Sequence, residues 1–140
     1  MSRARAALAG AAAASVWAAV EPLDRRLLRH DYSDVAMLGK LVTRSRAWPL
    51  AGLAVHAANG AVFGLGFDEA RRRTGWKPQR LALGLALAEN LVLFPLAAAI
   101  DRRHPARGER GLAPLFTPRG LVQATFRHAL FGSVLGRLAR

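Results

Sequence analysis

The chain contains no cysteine, which excludes disulfides, thiolate metal sites and thiol nucleophiles. Lysine is nearly absent, with only Lys40 and Lys77, so almost the whole positive charge is carried by arginine. Acids are scarce too, nine against 21 basic residues, and the formal charge is +12. Such an imbalance suits a nucleic-acid binder when the cations share one face. Here the arginines lie in every segment between apolar runs and no reader motif is present, so no nucleic-acid partner is expected. Also missing are a glycine-rich phosphate loop after a strand, a nucleophile elbow and paired catalytic carboxylates. The expectation is a non-enzymatic chain with no cofactor and no metal.

Hydrophobic runs are not lacking. Four stand out in the 140 residues, at 6–23, 48–67, 81–100 and 120–138. Each is close to the ~20 residues that cross a ~30 Å hydrocarbon layer as a helix. Trp48 and Trp76 lie at or just outside run ends, where interfacial aromatics belong. These runs predict an all-α integral membrane protein, a four-helix bundle forming a single transmembrane domain over residues 1–140. Its first partner is the lipid bilayer, and its expected location is the inner membrane of a bacterial cell, crossed several times.

The first run is rich in alanine, and with Arg3 and Arg5 before it also has the look of a cleavable signal peptide; the repeat described below favours its retention. Lys and Arg divide nine against eleven between the two faces, so the positive-inside rule gives only a lean toward cytoplasmic long loops. Between the first two runs, "DYSDVAMLGKLVTRSR" offers Ser33 or Asp34 as a helix cap, and Val35, Leu38, Leu41 and Val42 share one face. A short helix in the membrane interface fits this pattern, and so does a helix packed on the end of the bundle. The connection over 101–119 holds three prolines and two glycines and is expected to be irregular.

One phrase occurs twice. "HAANGAVFG" begins at His56 and "HALFGSVLG" at His128, each preceded by a Thr-and-Arg stretch. The runs before them each contain Pro-Leu and are followed by Asp-Arg-Arg, at Asp24 and at Asp101. A duplicated helical hairpin is therefore expected, with the halves related by an axis along the membrane normal. The stretches "PLDRRLLRHDYSDVAMLGKLVTR", "AVHAANGAVFG", "DRRHPAR" and "QATFRHALFGSVLG" together resemble a set of small uncharacterised four-helix bacterial membrane proteins, mainly actinobacterial. That resemblance implies the membrane fold and carries over no functional residue.

Gly52, His56, Gly60 and Gly64 recur every fourth residue, as do His128, Gly132 and Gly136, so each set lies on one helix face. Small residues at this spacing let helices approach closely in lipid, where burial of apolar surface gives little. The polar residues inside the runs, His56, Asn59, Glu89, Asn90, Arg127 and His128, are expected to form a buried polar cluster. At ~1.5 Å per residue, Glu89, Arg127 and His128 fall about 12 to 15 Å from one face, which predicts a pair of Glu89 with Arg127 or His128. Glu21, about 22 Å down, is expected not to compete.

Three functions fit these residues: a structural or accessory membrane component, a small proton- or ion-linked transporter acting as a homodimer, and a haem protein ligated by His56 and His128. A homo-oligomer and a small-molecule ligand are left open as partners. Four crossings return the chain to its starting side, so reporter fusions to its two ends should report the same face. Opposite sidedness would mean that one run, foremost 6–23, does not span.

Overall fold

The computed structural model describes residues 1–140. It is all-α, with helices α1 (Arg3–Leu27), α2 (Asp34–Val42), α3 (Trp48–Thr74), α4 (Pro78–Arg102) and α5 (Pro118–Leu138). The four apolar runs lie in α1, α3, α4 and α5, and α2 is the short helix expected in the first connection. Three helices, α1, α3 and α4, are long and apolar enough to cross a membrane. α5 covers the fourth run but also carries Arg119, Arg127, His128 and Arg137, and this charge sets it apart.

Most helices outrun the apolar segments that announce them, because helix formers continue past the hydrophobic stretch. In α3 the tail "DEARRRT" is held by ion pairs one turn apart, Glu69 with Arg73 at 2.7 Å and with Arg72 at 2.8 Å. The ends follow local rules. Ser2, Ser33 and Thr117 accept backbone N–H bonds as N-caps of α1, α2 and α5, and prolines open α3, α4 and α5. Gly75 stops α3 at φ +66°, a left-handed conformation that glycine adopts without strain.

α1 packs on α3 and α5, α4 packs on α5, and α2 lies on α3. α3 and α4, although joined by only three residues, scarcely meet. The long helices therefore follow the spatial order α3, α1, α5, α4, and the outer two face each other across a cleft. The glycine phrases explain the close pairings. A Cβ on Gly60 would sit 2.5 Å from the Gly10 carbonyl oxygen of α1, and one on Gly64 would sit 2.2 Å from that of Ala6. Gly52 is pressed against the Val35 carbonyl of α2, while Gly132 and Gly136 meet Ala82 and Gln79 of α4. The two phrases do not share one inner seam: α3 uses its glycines against α1 and α2, and α5 uses its own against α4.

Large apolar side chains point outward, among them Leu8, Val62, Leu91, Val92 and Leu96. On α4 only 17% of the most apolar window is buried, which is an outer surface suited to lipid rather than water.

At one end two connections clasp each other. Tyr32 and Leu112 form a single antiparallel bridge, and Asp31 accepts from the Gly111 N–H at 2.9 Å and from Arg25 Nε at 2.8 Å. Lys40 Nζ donates to Glu109 at 3.0 Å and His104 Nε2 meets the Met37 carbonyl at 2.9 Å. The irregular 101–119 connection is thus tied down, with Leu112 and Leu115 buried beneath α2. Met37 and Leu38 line the cleft, Leu41 and Val42 face outward, and α2 packs inward through Ala36 and Gly39.

The glycine contacts give a direct test. Gly60→Ala should destabilise the protein by about 1–3 kcal/mol through overpacking. Gly66, with nothing within 4 Å of an added Cβ, should tolerate Ala or gain up to about 1 kcal/mol from helix propensity. Thermal unfolding in detergent compares the two, and equal effects would show that the α1–α3 contact is not close.

Candidate functional site

The polar centre is assembled by helical periodicity. Trp17, Glu21 and Asp24 stand at i, i+4 and i+7 on one face of α1, and Gln123, Arg127 and Phe131 stand at i, i+4 and i+8 on α5. Where these faces meet, the start of α2 delivers Ser33 and Asp34. Arg127 is about 1% exposed and is gripped on three sides. Its Nε and Nη2 donate to the two Asp24 oxygens, each at 2.7 Å, a bidentate pair. Nη1 donates to Asp34 at 2.7 Å and lies 3.6 Å from Glu21, while Nη2 also donates to the Tyr32 carbonyl at 2.9 Å.

The carboxylates are in turn supported. Gln123 Nε2 donates to Asp24 at 2.8 Å and to the His30 carbonyl at 3.1 Å. Trp17 Nε1 donates to Asp34 at 3.2 Å. Glu21 accepts from the Ser33 hydroxyl and, at 2.9 Å, from the Asp34 N–H. Burial opposes ionisation of Asp34, yet the Arg127 guanidinium outweighs it and holds this carboxyl below the ordinary aspartate value. Three carboxylates therefore surround one guanidinium.

Beside this network a cavity of about 230 Å³ opens between α3 and α4. Trp17, Phe63, Phe94 and Phe131 form much of its wall, and His56, Glu89, Asn90, Gln123, Arg127 and His128 supply its polar lining. Four buried atoms on the lining residues have no hydrogen-bond partner: Tyr32 Oη, His56 Nε2, Asn90 Oδ1 and Gln123 Oε1. Buried polar atoms in native proteins are paired as a rule, so four orphans around one cavity mark a place where something polar binds.

Most residues expected in a polar cluster line this cavity, and of the two partners expected for Glu89 it is His128, not Arg127, that stands beside it. His56, Asn90 and Arg127 are buried and His128 is mostly so. Asn59 is exposed, at the mouth rather than in the interior. Glu89 does not pair with Arg127. Its nearest ionisable neighbour is His128, with Oε2 at 3.8 Å from Nε2, and its side chain is 37% exposed. Arg127 instead takes Asp24 and Asp34, with Glu21 nearby. The backbone depth estimate failed because an arginine side chain on a helix leans toward the N-terminus, here the end at which Asp24 and α2 sit.

Trp17, Glu21, Asp24, Tyr32, Asp34 and Gln123 were not foreseen as site residues. The i, i+4, i+7 spacing on α1 was the available signal. His56 and His128 both contact Trp17, whose ring centroid lies 5.2 Å and 4.7 Å from theirs, edge-on to each. No group of three or more His, Asp or Glu side chains is placed to hold a metal ion. No protein-family model, curated protein or solved structure matches the chain.

Breaking the Arg127–Asp24 pair by one partner leaves a buried charge uncompensated, at a cost of about 3–5 kcal/mol. Arg127→Gln and Asp24→Asn should each lower unfolding stability strongly, and the double variant should lose clearly less than their sum. Arg127→Gln and Glu89→Gln should instead add. A cycle with coupling to Glu89 and none to Asp24 would refute the network.

Proposed function

We propose that this is a non-enzymatic multi-pass membrane protein that binds a small molecule in the cleft between α3 and α4. The observation that carries this reading is the cavity with four unpaired polar atoms in a protein whose outer helix faces are apolar. Lipid offers these atoms no hydrogen bonds, and leaving them unmet is costly. In this reading α1, α3, α4 and α5 cross a bacterial cytoplasmic membrane, and α2 rests at the interface with Leu41 and Val42 toward lipid. Two similar hairpins, α1 with α3 and α4 with α5, build the core. The parallel use of Gly60 against Gly10 and Ala14, and of Gly132 against Ala82 and Ala86, supports that duplication. The apolar face of α4 is also free to meet a second copy.

A second reading, proton- or ion-linked transport, is favoured by one contact. Glu89 and His128 stand 3.8 Å apart at the mouth, within the span of α4, and intramembrane ionisable pairs recur in proton relays. Proton flux in liposomes, abolished by Glu89→Gln, would select transport over simple binding.

The binding reading is tested by native mass spectrometry of protein taken from nanodiscs. A small molecule should be retained by the wild type and lost when the cavity is filled, as in Ala124→Phe. An empty wild type that is as stable as the filled variant would overturn it.

A further inference from the structure

The hydrogen-bond ledger of the cavity is one-sided. Arg127 spends its donors on Asp24, Asp34 and the Tyr32 carbonyl. Gln123 gives both amide hydrogens to Asp24 and the His30 carbonyl, which fixes its Oε1 as a pure acceptor. Trp17 gives its N–H to Asp34, and Asn90 gives one of its two amide hydrogens to the Thr125 hydroxyl at 3.0 Å. His128 Nδ1 lies 2.8 Å from the Ala124 carbonyl, which can only accept, so this nitrogen carries the hydrogen and Nε2 is left with a lone pair in the neutral ring.

Of the four unpaired atoms on the lining residues, two are fixed as acceptors. Gln123 Oε1 and Asn90 Oδ1 are unpaired on side chains 1% exposed, and His56 Nε2 is unpaired on one 8% exposed. Glu89 adds a carboxylate at the mouth with no hydrogen-bond donor of its own. Tyr32 Oη is the one free hydroxyl. The charge points the same way. Glu21, Asp24 and Asp34 stand around Arg127 alone and Glu89 stands at the cleft mouth, an acidic spot in a chain of net charge +12. The walls are the rings of Trp17, Phe63, Phe94 and Phe131, whose faces attract cations.

We infer that the cleft binds a protonated amphipathic amine, its N–H groups met by the unpaired acceptors and Glu89 and its apolar body lying between α3 and α4. An ammonium suits the site because it has only donors to offer and brings the missing positive charge. A carboxylate or phosphate does not, since it would add negative charge beside Glu89 and Asp34. The ammonium can belong to a free lipophilic amine or to the ethanolamine headgroup of a lipid. This inference rests on the ligand-binding reading of the cleft.

The test uses the whole protein in phosphatidylcholine nanodiscs at neutral pH, with decylamine, decanol and decanoate as probes and binding read by native mass spectrometry and the shift in Tm. Decylamine should bind at least tenfold tighter than decanol or decanoate, and Glu89→Gln should weaken it about tenfold while leaving decanol unchanged. Glu89 is half-exposed and outside the Arg127 network, so this variant should fold; the decylamine-to-decanol comparison in the wild type needs no variant at all. If decanol or decanoate binds as tightly as decylamine, the amine inference fails and the ligand-binding reading stands. If no probe binds and the protein carries nothing of its own, both fail. Repeating the titration with phosphatidylethanolamine in the disc separates the sources: competition with decylamine identifies the lipid headgroup, and its absence identifies a free amine.

Discussion

A guanidinium removed from water loses several kcal/mol of solvation even after the surroundings relax, and it survives only where geometry returns that loss. Arg127, carried on α5, lies where that helix meets α1 and α2: α1 supplies Asp24, α2 supplies Asp34, and the turn before α2 supplies the Tyr32 carbonyl. Asp24 fixes the rotation of α1 about its axis, because the bidentate pair accepts only one orientation of the fork. Asp34 fixes where α2 begins, and the Tyr32 carbonyl fixes the turn before it. Without the arginine, α1 and α5 would meet through alanine and glycine faces with little to set their register. The cleft follows from this arrangement: α1 and α5 are held together at the centre, α3 and α4 are carried on their outer sides, and the space between those two is left open.

The parts of this fold that depend on sequence-local rules are legible in the sequence. Apolar runs of the right length mark the four long helices, Ser33 marks the start of α2, and prolines and glycines mark the irregular 101–119 connection. The close glycine contacts also follow from spacing, since residues four apart share a face. What spacing does not reveal is the identity of the neighbour. Gly60 and Gly132 occupy equivalent places in a repeated phrase and meet corresponding positions, Gly10 of α1 and Ala82 of α4, but the phrase itself does not name those helices. Glu89 and Arg127 lie at similar backbone depth on adjacent helices and still do not pair, because Arg127 points its long side chain along α5 toward Asp24. The connection from α1 to α3 decides the matter by bringing in Asp34, and it does so through a turn at Tyr32 bridged to Leu112, some 80 residues on.

Trp17 links the two halves of the site. It holds Asp34 with its N–H and touches His56 and His128 with its ring edges, so the ion network and the cavity share one side chain. This sharing means that a ligand in the cleft would press on a residue tied to Asp34, and through Asp34 to Arg127 and α2. The cavity wall at Trp17, Asp34, Arg127 and the start of α2 are thus coupled in one contiguous set of contacts.

The distribution of charge gives that coupling its direction. Cations are spread along the connections and helix ends, where they can meet lipid headgroups, whereas the interior gathers Glu21, Asp24 and Asp34 around one arginine and leaves Glu89 at the cleft. Asp24 and Asp34 against one guanidinium already leave an excess of negative charge, and a low-dielectric surrounding amplifies any unbalanced charge. A cation or a proton arriving in the cleft reduces the imbalance, and its departure restores it. The Arg127 network is thus both the clamp that sets the helix register and the source of the field that a ligand in the cleft would feel.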